Sequence, residues 1–393
     1  MLTDDAAAIA RYTPAPMSIH ILHLHSTFAL GGKEARAVQL MNAFGDRARH
    51  TIVSAMPDQL GAREAIDRHI KYEIALDPPP LAGKPSVKRY EQIARFMRRF
   101  DLVLTYNWGA IDGVMAARVF GKGLPPIIHH EDGFNADEAE KLSTVRNMYR
   151  RMALPAANAL VVPSEKLEQV ATKFWKQPAE RLVRIANGVP TGRYTGQLDS
   201  SLLPMLDKRR KGEVFIGCLA GLRPVKDLPM LVRAAAGMSS RFKLVILGEG
   251  PERQAILDQA EAMAIEDQVF LPGFIANPHR YLGLFDIFAL SSKSEQAPVS
   301  VLEAMAAGLP IVAPQLGDIA AMVSEPNHKY LSVDRTEVSL RDRLDILAQH
   351  PDERKRLGEA NRLRAAALYD EAEMVAAYAR LYSQAMGRPG TLG

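Results

Sequence analysis

The chain has 393 residues, 47% of them hydrophobic and 24% charged, with a formal net charge of +4 at pH 7; this is an ordinary globular composition, too long for one core and suited to two domains. One cysteine, Cys218, excludes an intrachain disulfide and fits a reducing, cytoplasmic setting, and no apolar run approaches the length that spans a bilayer. The mild basicity is compatible with anionic substrates or a membrane surface, and no nucleic-acid partner is expected.

The first stretch, "MLTDDAAAIARYTPAP", lacks a basic leader region and reads as a loose tail, not a signal peptide. Strands are then predicted near Ile19–His25, Thr51–Met56, Leu102–Tyr106, Pro126–His130, Leu160–Pro163 and Leu182–Asn187, with helical patterns at Lys33–Phe44, Val87–Arg99 and Lys166–Trp175 between them. Continuous Val/Ile/Leu runs without polar alternation predict buried parallel strands in a doubly wound α/β sheet. Asn187–Glu213, rich in Gly, Pro and Ser, reads as an interdomain connection. Alternation restarts with strands at Val214–Leu219, Lys243–Leu247, Val269–Leu271, Ile287–Leu290 and Ile311–Ala313, and the chain becomes helical from about Thr336. The expected domains are residues 17–190, joined by a crossing helix within 370–390, and residues 191–369.

Ligands of open α/β sheets lie beyond the carboxyl ends of the strands, so the cleft between two such halves is the expected site. The stretch "SKSEQAPVSVLEAMAAGLPIVAPQLGD" holds a strand end, a polar loop with Glu295, and an apolar helix containing Glu303. Pro298 suits the first helical position, and Gly308 followed by Pro310 suits its end. Free N–H groups at that helix start favour a phosphate. Arg223 and Lys226, in the loop after the strand Val214–Leu219, are placed to complete a diphosphate site. A buried carboxylate needs donors, and a ribose offers Glu303 two hydroxyls. The spacing alone also fits a solvated turn and a glutamate paired with a nearby arginine.

The whole segment resembles the signature of family 4 glycosyltransferases of the GT-B fold. "GGKEARAVQL", "VVPSEKL", "RIANGVP", "AGLRPVKDLPMLVRAA", "VILGEGPER" and "FDIFALSS" follow the family's order, from about Ile19 to Tyr382. The resemblance implies two Rossmann-like domains facing across a cleft, with the terminal helix Asp370–Met386 crossing back to the first. It implies a retaining transferase that moves a sugar from a nucleotide-diphosphate sugar, UDP- or GDP-linked, to a hydroxyl of a glycan or lipid-linked acceptor. Glu295 would touch the donor sugar, Glu303 the ribose, and Arg223 and Lys226 the leaving diphosphate. Backbone groups at Gln296, Ala297, Val299 and Ser300 would orient sugar and phosphates, and Gly31 and Gly32 would allow close approach from the opposite domain. A first-domain histidine meets the donor sugar in the family; here His129 and His130 compete, and His130 is favoured.

The chain departs from the family pattern at Gln296, where Gly is usual, at Gly221, where Arg is common, at Pro190 and at Gly317-Asp318. Arg223 would have to act for the missing arginine. His20, His23 and His25 suggest zinc, but only His23 and His25 share a strand face and no cysteine or third ligand joins that pair, so neither a metal nor any other cofactor is expected. The basic stretches Lys88–Phe100 and Arg146–Met152 fit either an anionic membrane, which would place the protein peripherally on the inner face of the cell membrane, or a solvated helix face. Two other readings are a non-catalytic sugar-nucleotide-binding subunit and a GT-B nucleotide-sugar epimerase.

Overall fold

The computed structural model describes residues 18–393 except residue 30, residues 135–137 and residues 139–140. The tail ahead of residue 18 lies outside the described residues. The first half contains strands β1 (Ile19–His25), β2 (Ala48–Ser54), β3 (Tyr72–Ile74), β4 (Leu102–Tyr106), β5 (Ile127–His130), β6 (Ala159–Val162) and β7 (Leu182–Arg184). Helices α1 (Gly32–Phe44), α2 (Val87–Met97), α3 (Ile111–Phe120), α4 (Thr144–Ala153) and α5 (Glu165–Lys173) connect them. The sheet order is β3-β2-β1-β4-β5-β6-β7, and every pairing is parallel.

A second sheet holds β8 (Val214–Leu219), β9 (Phe242–Leu247), β10 (Val269–Gly273), β11 (Ile287–Ala289), β12 (Ile311–Pro314) and β13 (Leu331–Ser332). Its order is β10-β9-β8-β11-β12-β13, again parallel. Helices α6 (Leu228–Ala236), α7 (Arg253–Ala262), α8 (Val299–Ala306), α9 (Ile319–Met322), α10 (Glu337–Gln349) and α11 (Pro351–Leu368) accompany it, and α12 (Glu371–Ala385) closes the chain. The two sheets are those of two Rossmann-like halves, as the apolar runs predict. Strands β3 and β13 are additions: their three and two residues are too short to leave a periodic signal.

Each sheet is buried on both faces. The first packs one face on Leu22, Leu24, Val103 and Trp175, the other on Ile21, Phe28, Ile128 and Tyr106. That second cluster also contains Met374, Tyr378 and Tyr382 of α12, so the terminal helix does cross back to the first sheet. The crossing is fixed where Val189 N–H donates to the Tyr369 carbonyl at 2.9 Å and Glu371 N–H donates to the Val189 carbonyl at 3.0 Å. Gly188 permits this approach: a Cβ there would lie 2.8 Å from the Glu371 Cα, closer than side chains tolerate.

Candidate active site

Both carboxyl-end loops of the second sheet that carry the predicted residues meet in space. Ser291 Oγ donates to the Lys226 carbonyl at 2.9 Å, and Lys293 N–H donates to the Val225 carbonyl at 2.7 Å. Glu295 accepts at one oxygen from Lys226 Nζ, 2.5 Å away, and from Ser292 Oγ at 2.6 Å. The sequence reading gave Lys226 and Glu295 to different parts of the donor; here they are held against each other, with 16% and 9% of their side chains exposed. A pair this shielded holds both charges in one place.

Arg223 is exposed and its guanidinium folds back over Gly221. A Cβ on Gly221 would lie 3.3 Å from Arg223 Nε and 3.9 Å from its Cζ. The absent side chain at 221 therefore frees the space that Arg223 takes.

Helix α8 starts one residue later than Pro298 suggests: Pro298 is the residue before the first turn, in an extended conformation. Its missing N–H is harmless there too, and the N–H groups of Val299 and Ser300 have no partner within the helix. The helix ends near Gly308, which takes φ +76, the left-handed cap that glycine favours.

Glu303 lies half-buried on α8, yet protein surrounds its carboxylate on most sides. Burial pushes its pKa up from 4.5 to about 7, against the pull of a hydrogen bond from the Tyr194 hydroxyl. The Tyr194 and Tyr281 hydroxyls are themselves pushed up, by burial first and then by the Glu303 charge. Sequence reasoning missed Tyr194; its one signal was an aromatic residue inside a Gly/Pro-rich connection.

The first half meets this site closely. Gly32 opens α1 within contact of Val299: a Cβ on Gly32 would lie 3.9 Å from Val299 Cγ2. Gly31 precedes it in extended backbone. Gly133 faces Gln296, whose Cγ would be 3.1 Å from a Cβ at 133. The Ala297 carbonyl accepts from Asn187 Nδ2 at 2.9 Å. Asn187 Oδ1 in turn accepts from Arg36 at 3.1 Å, and Arg36 forms a two-pronged pair with Asp132. Burial alone would raise the Asp132 pKa, but the Arg36 guanidinium holds it below the ordinary carboxylate value. This buried polar chain joins the halves, and sequence reasoning missed it; the signal was a charged Arg36, with Glu34, on a mostly apolar helix face.

On the other side of the loop that carries Glu295 and Gln296, Gly317 takes φ +54, and a Cβ there would lie 2.4 Å from the Glu295 and Gln296 carbonyl oxygens. The next residue, Asp318, accepts from the backbone N–H groups of Glu165 at 2.6 Å and Lys166 at 3.1 Å. Those groups open α5, so the departure from Gly-Gly at 317–318 places a carboxylate on a helix N-terminus of the opposite half.

His130 is corrected. It ends β5 but is 1% exposed and faces α12, not the cleft. Its Nδ1–H donates to the Thr105 carbonyl at 3.2 Å, and its bare Nε2 accepts from the Tyr382 hydroxyl at 2.8 Å. Burial pushes its pKa down to about 3, so it is a neutral core histidine. His129 is equally enclosed, between Thr105 Oγ1 at 2.7 Å and Glu131 at 3.1 Å. His25, read as a residue at the cleft edge, is also fully buried, stacked on Tyr106 at 4.1 Å. His20 instead meets Thr51, and His23 bridges Tyr106 and His50. Among the described residues, no group of three or more His, Cys, Asp or Glu side chains is arranged to hold a metal. A hollow of about 450 Å³ near Ala117, Pro126, Ile127 and Ala385 lies at the amino end of β5, away from these loops.

The fold is that of the GT-B glycosyltransferases. The Anabaena protein HepE, solved in complex with UDP and glucose, superposes with a TM-score of 0.76 at 18% identity, covering 93% of this chain and 100% of HepE. The family model for Glycosyltransferase Family 4 matches residues 30–193, and that for Glycosyl transferases group 1 matches residues 207–364. The chain belongs to the group 1, family 4 glycosyltransferases. It is 26% identical to the N-acetyl-alpha-D-glucosaminyl L-malate synthase of Bacillus anthracis over 42% of this chain and 44% of that one. It is 27% identical to the N-acetylgalactosamine-N,N'-diacetylbacillosaminyl-diphospho-undecaprenol 4-alpha-N-acetylgalactosaminyltransferase of Campylobacter jejuni, over 50% and 53% of the two chains. The chain thus spans about half the length of these curated relatives. No helix among the described residues is long and apolar enough to cross a membrane.

Proposed function

We propose that this chain is a retaining glycosyltransferase that moves a sugar from a nucleotide-diphosphate sugar to a hydroxyl of a glycan or lipid-linked acceptor. The observation that carries the reading is the Lys226–Glu295 pair held just ahead of the start of α8, one turn from the buried carboxyl of Glu303. The diphosphate would take Lys226 from Glu295 and rest on the Val299 and Ser300 N–H groups. Glu295, released, would accept from hydroxyls of the donor sugar, while Gln296 and Ala297 border it. Glu303 would accept from the ribose. Breaking the sugar–phosphate bond leaves charge on the diphosphate, and fixed cations with helix N–H groups favour that charge in the transition state. The acceptor hydroxyl would attack from the same face, its proton passing to the leaving phosphate oxygen. No metal is needed in this scheme.

In this reading residues 191–369 hold the donor, and residues 17–190 with the helix inside 370–390 hold the acceptor. UDP is favoured over GDP as the carrier, because HepE binds UDP and glucose. A lipid-linked acceptor is supported by the diphospho-undecaprenol in the name of the Campylobacter relative. The protein would work in the cytoplasm, touching the inner membrane face through α4. That helix exposes Val145, Met148 and Met152, at 78%, 58% and 50%, on one side with Arg151 beside them. The stretch along α2 does not support such contact: Arg89 is buried against Asp112 at 2.6 Å, and Arg95 pairs with Glu91 at 3.0 Å. The family match disfavours the epimerase and binding-subunit readings.

A thermal-shift screen of UDP, GDP and ADP sugars tests the donor. UDP sugars should raise the melting temperature, and Lys226→Ala should lower turnover at least a hundredfold, about the loss of one fixed transition-state donor, with the fold intact. Full activity in Lys226→Ala would refute the assignment.

A further inference from the structure

Asn107 follows β4 on the carboxyl side of the first sheet with φ 55 and ψ −174. Only glycine visits that region readily, and other residues persist there when the surroundings over-determine them, most often at functional sites. Three contacts impose it. Asn107 N–H donates to the His130 carbonyl at 2.7 Å, and the Asn107 carbonyl accepts from Ala110 N–H at 3.1 Å. Asp132 N–H donates to Asn107 Oδ1 at 2.7 Å. A backbone N–H can only donate, so the side-chain oxygen must face Asp132 and the Nδ2 amide must face away. That Nδ2 has no protein partner among the described residues.

The position is as telling as the strain. Gly109 lets this loop lie on Ser26 after β1, since a Cβ there would fall 2.2 Å from Ser26 Cβ. Asp132 adjoins Gly133, which touches Gln296 of the donor loop. The Asn107 side chain is therefore linked through Asp132 and Gly133 to Gln296, on the half opposite the place assigned to the donor sugar. Trp108, next in the chain, is half-buried. Its ring is braced by the Tyr149 edge at 5.4 Å and by Arg146 and Arg150 at 5.3 and 5.2 Å. A fixed N–H donor beside an aromatic surface suits a pyranose, which carries hydroxyls on its rim and C–H groups on its face.

We infer that Asn107 and Trp108 form an acceptor subsite for a sugar ring, with Asn107 Nδ2 donating to one of its hydroxyls and the Trp108 ring lying along its apolar face. This rests on the transfer reading above and narrows the acceptor to a compound that presents a sugar, not a bare alcohol or lipid.

The test uses the full chain, UDP-glucose as donor, and free sugars (glucose, galactose, N-acetylglucosamine) against glycerol and decanol as acceptors. Asn107→Gly removes the amide and the Oδ1 contact to Asp132 but accepts the backbone angles. Relief of the backbone strain offsets the lost Asp132 contact, so its melting temperature should stay near that of the unaltered protein, while acceptor kcat/KM falls about tenfold, the effect of one lost hydrogen bond to the acceptor. UDP-induced stabilisation and UDP-glucose hydrolysis without acceptor should stay unchanged. Asn107→Ala, which loses the amide and keeps the strain, should match that acceptor defect and melt lower. Unaltered acceptor kcat/KM in Asn107→Gly, a matching loss of hydrolysis, or transfer to glycerol and decanol alone would overturn the subsite. If the unaltered protein neither binds UDP nor uses any nucleotide sugar, the transfer reading itself fails and this inference falls with it.

Discussion

Replacing Glu303 by Gln keeps the shape of the side chain and its contact with Tyr194 while removing the charge. In the free protein that charge is costly. Each pH unit between two pKa values is worth about 1.4 kcal/mol, so the rise from 4.5 to about 7 corresponds to roughly 3 kcal/mol as an upper bound, less because the side chain is not sealed from the cleft. The sign follows from the raised pKa. Between pH 4.5 and 7 the native state holds a proton that the unfolded chain has lost, so stability falls across that window and is level above it. Glu303→Gln should therefore melt higher than the unaltered protein at pH 8 and equally at pH 4.5. Donor binding should run the other way. A charged acceptor makes hydrogen bonds stronger than a neutral one by about 1 kcal/mol each, so the variant should bind UDP at least fivefold more weakly at pH 8. Calorimetric titration with UDP from pH 6 to 8 reads both effects. Affinity should climb through pH 7 in the unaltered protein and stay flat in the variant. Parallel pH profiles, or a variant that binds UDP as tightly at pH 8, would refute the placement of a ribose at Glu303.

Asp318→Ala removes a carboxylate from the start of α5; losing about 1 kcal/mol of contact between the halves should shift the closed-to-open ratio roughly fivefold. Small-angle scattering should then show a larger radius of gyration at unchanged melting temperature, and an identical scattering curve would count against Asp318 holding the halves together. Burial pushes the pKa values of His23, His25, His50 and His130 down, the latter pair to about 3. Their contribution is intact above pH 6.5 and is lost as pH falls toward 3, at about 2 kcal/mol each for His50 and His130 by pH 5; His130→Phe should flatten the fall in melting temperature between pH 7 and 5, and an unchanged slope would show that His130 does not titrate with unfolding. Met148→Ser with Met152→Ser should abolish flotation with vesicles of anionic phospholipid, and flotation equal to that of the unaltered protein would exclude α4 as the contact.

The sheet cores were legible because parallel strands buried on both faces must be apolar throughout. Ile19–His25, Leu102–Tyr106 and Val214–Leu219 fall on their predicted bounds, and turn residues set off the rest. The loop that carries Glu295 and opens α8 was legible for a different reason: its residues lie within one strand–loop–helix unit, where local chemistry fixes geometry. Lys226 and Glu295 lie 69 residues apart, but each sits at a strand's carboxyl end, and β8 and β11 are neighbours in the sheet. What local pattern cannot carry is the partner that arrives from far along the chain. Tyr194 reaches Glu303 from the interdomain connection, and Asp132 and Asn187 reach Arg36 from 96 and 151 residues away.

His130 shows why the same reasoning fails at its edge. A strand that alternates hydrophobic and polar residues tells which face is wet, and β5 reads Ile-Ile-His-His with all four residues buried. Its last residue at a carboxyl end could face the cleft or the layer above the sheet with equal justice from the sequence. The choice is made by α12, whose Tyr382 lies 252 residues later and donates to the imidazole. Once that helix covers β5, the cleft rim is left to the residues that follow the strands, not to those that end them. Asn107 after β4 and Asp132 after β5 hold that rim together through one hydrogen bond. Polar groups of the first half that reach a substrate are then expected from these loops, and Asn107, strained in place and with no partner for its amide among the described residues, is the candidate proposed above.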